Sequence, residues 1–177
     1  MTKWLSHRMV ERGIIKEEEQ ELYQFGIRNG MILLLNVVTA LVIGLLTEQL
    51  AVVAVFTLSF MVLRSYTGGY HSDSRIFCYL GSNLVLLVPV YTQAVFYKTS
   101  LAWLLAVLLV SAGIIFLLSP MHSKNRKLDK EEQKHFGRKA RLIAALELAV
   151  LGILWHAGQI PYAYAVYTGI CITALFM

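Results

Sequence analysis

Long apolar runs separated by short polar segments dominate the chain from about residue 27 onward. Six runs are legible, over about 27–47, 49–65, 78–97, 101–119, 138–156 and 160–177, each mostly Leu, Val, Ile, Ala, Phe and Tyr. A helix needs ~20 mainly apolar residues to cross a bilayer. Several runs end on a legible stop: Arg64 ends the second, Pro120 closes the fourth, and Pro161 separates the last two. Asp129 followed by Glu132 has the spacing of a capping box, which predicts a helix start there and entry into the apolar run near Leu142. Ahead of the first run, residues 2–12 predict a short interfacial helix. It sets Trp4, Leu5, Met9 and Val10 against Arg8, Glu11 and Arg12, and Gly13 breaks it. A second helix is predicted from about Lys16, with Glu17, Glu18, Glu19 and Glu21 near its positive end, running on into the first apolar run. The expected fold is all-α: a polytopic membrane protein of about six transmembrane helices plus a short N-terminal amphipathic helix, forming one membrane-embedded domain over 1–177.

Composition agrees. Of 177 residues, 57% are hydrophobic and 15% charged, against ~45–50% and ~25% in a soluble domain. The first 25 residues are rich in Lys, Arg and Glu and hold no apolar signal-peptide core, so no cleaved leader is expected. Charge placement sets orientation. Fifteen of the sixteen Lys/Arg fall in the N-terminal segment 1–25 with Arg28, the 64–77 loop and the 120–141 loop, and only Lys98 lies on the other side. The positive-inside rule then places both termini in the cytoplasm of a cell membrane.

Candidate chemistry concentrates in the stretch Arg64 to Cys78. A thiolate is the working nucleophile of a cysteine peptidase, and an adjacent His and a helix N-terminus both favour it. Ser72, Asp73 and Ser74 are good N-cap residues, so Cys78 is expected in or near the first turn of the third span. On one straight helix His71 and Cys78 would be ~10.5 Å apart along the axis, too far for proton transfer, which needs ~2.6–3.2 Å. The chain must therefore fold back, and Gly68 and Gly69 allow that. A His and a Cys in a membrane protein are otherwise a loop residue and a packing residue; residue chemistry by itself leaves the two readings level.

Arg64, Gly68, Gly69, His71 and Cys78 carry a closer likeness. With an Arg seven before the His, a Gly two before it and six residues between His and Cys, the stretch resembles the signature of the accessory gene regulator protein B (AgrB) family. The likeness extends loosely over the chain through the Ser119–Pro120 break, the basic loop after it and the six-span layout. The resemblance implies a bacterial membrane cysteine endopeptidase, with His71 as base and Cys78 as nucleophile. Such an enzyme trims a small signal propeptide through a thioester and promotes ring closure to a thiolactone or lactone for quorum sensing. It implies a homodimer as well, and Gly26 and Gly30 give a GxxxG spacing in the first span.

Supporting residues carry two readings each. Asp73 is a helix cap or an orienting partner of His71. Arg64 is a headgroup anchor, or it binds substrate or braces the loop. Lys124, Arg126 and Lys127 serve topology and lipid contact, or steer an acidic propeptide tail. Asn36 makes an interhelical hydrogen bond or, with Asn29, lends polar support to an oxyanion. Cys171 reads as a packing residue, and the remaining histidines as surface residues or, for His156, one at the far membrane face. No metal-ligand spacing, cofactor motif or nucleic-acid motif is present in the sequence. The rival class is a non-enzymatic transporter or assembly partner for a small peptide. Such proteins place ionisable groups within the membrane, and here only Glu147 could lie inside a span.

Overall fold

The computed structural model describes residues 2–68, 75–121 and 129–177. Among them are eight α-helices: α1 (Thr2–Glu11), α2 (Gln20–Leu46), α3 (Leu50–Thr67), α4 (Arg75–Tyr91), α5 (Gln93–Lys98), α6 (Leu101–Leu118), α7 (Lys130–His156) and α8 (Ile160–Leu175). Among the described residues, three stretches are long and apolar enough to cross a membrane: Glu17–Leu46, Leu50–Thr67 and Leu101–Leu118. Tyr79–Tyr91 and Ile160–Leu175 are shorter apolar helices. The chain forms two compact units, Met1–Thr39 and Ala40–Met177.

In the first unit α1 ends where Gly13 takes a positive φ of 65°. Within α1 the Arg8 guanidinium lies 4.9 Å from the centre of the Trp4 ring. A single 3₁₀ turn, Glu17–Glu19, precedes α2, and the Lys16 N–H donates to the Glu19 carboxylate at 3.2 Å. That bond satisfies a main-chain donor at the helix start.

In the second unit α8 is the central post. Ala163, Tyr164, Ala165, Val166, Gly169, Ile170 and Ala174 along it are buried, and α3, α4, α6 and α7 pack around it. Small residues permit close approach: a Cβ on Gly169 would run into the Ser59 hydroxyl and lie 3.1 Å from the Ser59 Cβ. One apolar cluster joins Val53 and Phe56 of α3 with Leu86, Phe96 and Tyr164. Another joins Leu63 with Ile115, Ala144, Val166 and Ile170.

The third apolar run, expected as one span over 78–97, divides into α4 and α5. Pro89 lies inside α4 and supplies no N–H to the ladder. At the break the Thr92 hydroxyl lies 2.8 Å from the Val88 carbonyl and 2.6 Å from the Tyr164 hydroxyl. Side-chain bonds of this type compete with the helical ladder. One of the two bonds of the predicted capping box is present: the Asp129 N–H donates to the Glu132 carboxylate at 3.3 Å, directly before α7.

Candidate active site

Arg64 lies in the last turn of α3, next to the fully buried Leu63. Its Nη1 donates to the Gly68 carbonyl at 2.6 Å and to the Phe176 carbonyl at 3.0 Å. The last carbonyls of a helix have no partner within it, and a guanidinium suits their negative end. One side chain therefore ties the exit of α3 to the end of α8.

Gly68 caps α3 with a φ of 71°, a conformation that glycine adopts without steric cost. A Cβ at Gly68 would overlap the Met121 carbonyl oxygen. The two residues form a parallel bridge, and the Met121 N–H donates to the Thr67 carbonyl at 2.9 Å. Met121 follows the cis Ser119–Pro120 peptide just beyond α6. The polar part of α7 closes on the same place. Tyr66 and Phe136 have ring centres 6.2 Å apart, and Gly137 lies against the Pro120 ring. One turn on, the Arg141 Nε donates to the Phe116 carbonyl at 3.0 Å, near the end of α6. The ends of α3, α6 and α8 are thus joined by main-chain and arginine contacts.

Cys78 is the fourth residue of α4 as described, Arg75–Tyr91. Gly69, His71 and Asp73 lie outside the described residues, in the segment between Gly68 and α4. Lys124, Arg126 and Lys127 lie outside them too, between Met121 and Asp129. Among the described residues no group of three or more His, Cys, Asp or Glu is placed to hold a metal ion.

Asn36 is in α2, and its Oδ1 is buried with no hydrogen-bond partner among the described residues. Cys171 is half-buried on α8. Glu147 accepts a hydrogen bond from Ser59 at 2.7 Å. The contacts of Thr67, Met121, Phe176 and Ser59 have no counterpart in the sequence reading. Three of these four use main-chain atoms, which residue type does not encode.

Three relatives are similar to the chain over most of its length. An AgrB-like protein of Clostridium perfringens (strain SM101 / Type A) is 23% identical over 148 residues, 80% of this chain and 69% of its own. AgrB-like protein 2 of Clostridium perfringens (strain 13 / Type A) is 24% identical over 71% of this chain and 61% of its own. The accessory gene regulator protein B of Staphylococcus intermedius is 26% identical over 72% of this chain and 70% of its own. The matches thus span about two thirds of the relatives' lengths. No solved structure matches the chain. The family model for accessory gene regulator B covers residues 1–177, and with a match of that extent the chain belongs to the accessory gene regulator B family.

Proposed function

We propose that this protein is a membrane cysteine endopeptidase that removes the C-terminal tail of a small signal propeptide and promotes its cyclisation. The observation that carries the reading is the place of Cys78 on α4, in the first described turn of that helix, just after the segment that holds His71. The positive end of a helix favours the thiolate there. The segment holding His71 begins at Gly68, whose positive φ turns the chain at the end of α3.

His71 takes the thiol proton, and Cys78 sulfur attacks the scissile carbonyl. Main-chain N–H groups at the start of α4 receive the developing oxyanion. The C–N bond breaks, His71 returns the proton to the leaving amine, and the peptide remains on Cys78 as a thioester. A thiol or hydroxyl within the peptide then attacks that thioester, closes the ring and restores the Cys78 thiol. Attack by a thiol on a thioester exchanges like for like, so no external energy source is needed. Water must be excluded for cyclisation to outrun hydrolysis.

In this reading α2, α3, α4 with α5, α6, the apolar half of α7, and α8 form six membrane passages. The lopsided basic residues put both termini in the cytoplasm. Lys124, Arg126 and Lys127 receive an acidic tail, Asp73 and Gly69 support the turn to His71, and the working form is a homodimer.

The test is intact-mass analysis of the purified protein incubated with a synthetic propeptide bearing an internal Cys and an acidic tail. The wild type gains the mass of the trimmed peptide, loses it to hydroxylamine, and releases a product one water lighter than the linear peptide. Cys78→Ala and His71→Ala show neither. Cleavage that persists in Cys78→Ala sinks the proposal.

A further inference from the structure

The exposed face of α7 changes character at one point. Lys134, Arg138 and Arg141 are all exposed, and at spacings of four and three they form one stripe along the helix. Directly beyond them the surface is apolar, with Leu142 61% and Leu146 57% exposed. The end of α6 changes at the same level. The Arg141 Nε donates to the Phe116 carbonyl at 3.0 Å, and the next two residues, Leu117 and Leu118, are exposed. Bare leucines suit hydrocarbon and guanidinium groups suit the headgroup layer, so the edge of the bilayer runs at Arg141. The bond to Phe116 uses one of the five guanidinium N–H groups. Glu131 stands about a turn beyond Lys134, away from that edge.

Deeper along the same two helices, a cavity of about 320 Å³ opens between α6 and α7. Leu105 and Leu108 of α6 line it with Leu148, Leu151, Gly152 and Trp155 of α7, and no charged residue does. A Cβ at Gly152 would meet nothing within 4 Å, so the space beside it is open. At 1.5 Å per residue, Leu148 lies ~10.5 Å and Trp155 ~21 Å from Arg141 along the axis of α7. The hydrocarbon core is ~30 Å thick, which puts its midplane ~15 Å from its edge. The cavity therefore brackets the depth at which an acyl chain of the near leaflet ends.

We propose that α6 and α7 hold one anionic phospholipid, its phosphate at Arg141, Arg138 and Lys134 and the end of one acyl chain in the cavity. The three cations match a phosphate diester, the lining matches hydrocarbon, and the separation of the two matches one leaflet. An acidic peptide satisfies only the first of these. A zwitterionic lipid satisfies the other two, while its ammonium group opposes the stripe. The lipid joins α6 and α7 along their outer side, as Arg141 joins them at their ends. The site rests on α7 as a membrane passage and needs no reaction at Cys78.

The test reconstitutes the full-length protein in phosphatidylcholine vesicles with a trace of phosphatidylglycerol that carries a diazirine near the end of one acyl chain. The control probe is phosphatidylcholine with the same chain. After irradiation and digestion, mass spectrometry locates the adducts. A cation near the membrane surface is worth about fivefold in occupancy. The anionic probe is therefore expected to label Leu108, Leu148 and Leu151 about tenfold or more above the neutral one. Changing Lys134→Gln and Arg138→Gln together, with Arg141 kept for its bond to α6, should lower that labelling about tenfold or more. Gly152→Leu fills the open space and should remove the cavity adducts of both probes.

Equal labelling by the two probes in the wild type overturns the site. So do cavity adducts no denser than those on Ala106 and Leu109, which are exposed on α6. If the double variant labels like the wild type yet binds a fluorescent Glu-rich peptide more weakly, the stripe serves a peptide and the lipid proposal is wrong. Adducts on α3 and α6 with none on α7 sink the membrane passage, and the site with it. Cleavage of a propeptide enters none of these readouts, so a failed peptidase reading leaves the outcome unchanged.

Discussion

Ser59 on α3 donates its hydroxyl to the Glu147 carboxylate on α7 at 2.7 Å, beside Gly169, where α8 comes close to α3. An acidic group in an apolar bundle is costly unless it has a donor. Here that donor is a serine small enough to leave the helix contact intact. Ser59→Ala is expected to lower stability by about 0.6–2 kcal/mol. Glu147→Gln keeps a carbonyl acceptor and stays near wild type. Unfolding in detergent, followed by circular dichroism, measures both. If Ser59→Ala unfolds where the wild type does, the hydroxyl contributes nothing to stability.

The same contact predicts a coupling between the two positions. Gly169→Ala drives a methyl into the Ser59 side chain, and overpacking of this kind costs about 1–3 kcal/mol. Ser59→Gly removes the obstruction, so Gly169→Ala should cost less in that background than in the wild type, even though Ser59→Gly itself loses the Glu147 bond and up to ~1 kcal/mol of helix propensity. A double-mutant cycle then shows a coupling of at least about 0.5 kcal/mol. Strict additivity would mean that α3 and α8 do not meet at these residues.

Arg64 separates two roles by kinetics. Its Nη1 is engaged by the Gly68 and Phe176 carbonyls, an arrangement suited to bracing the chain ahead of His71. Loss of a hydrogen bond to a charged group costs ~1.5–3 kcal/mol. Arg64→Ala should therefore lower kcat by about tenfold or more with little change in KM, and Arg64→Lys should be intermediate. A rise in KM at constant kcat would instead mark a group that holds substrate.

Much of the architecture was legible because its signals are local. Gly13 stops α1, Pro120 closes α6, and Asp129 with Glu132 starts α7. Each acts within a few residues of itself, so spacing alone exposes it. The division at Thr92 was not legible. Apolar residues continue on both sides of it, and its hydroxyl meets Tyr164, which is remote in sequence. The candidate site divides in the same way. That Cys78 lies on a helix was legible from the apolar run it opens, while the cap cluster expected at Ser72, Asp73 and Ser74 lies outside the described residues. The brace at Arg64 and the Thr67–Met121 bond are invisible in one dimension, because carbonyls and amides look alike at every position.

Gly137 offers a way to loosen that brace from a distance. It sits where α7 crosses the turn after α6, and a Cβ there would lie 3.0 Å from Pro120 Cδ and 3.3 Å from the Ser119 carbonyl. Two effects oppose each other in Gly137→Ala. Helix propensity gains ~1 kcal/mol, while the new methyl presses on the proline ring. The net change is expected to be small. Gly137→Val adds two more carbons and a β-branch, so the steric effect wins by about 1–3 kcal/mol. Pushed outward, α7 draws Arg141 off the Phe116 carbonyl it holds at 3.0 Å and relaxes its support of the Met121 turn. Hydrogen exchange of a peptide covering 115–121 should then speed up in Gly137→Val and stay near wild type in Gly137→Ala, with a peptide from α1 unchanged in both. Equal exchange in all three proteins would show that α7 does not support the turn, and that the Thr67–Met121 bond stands without it.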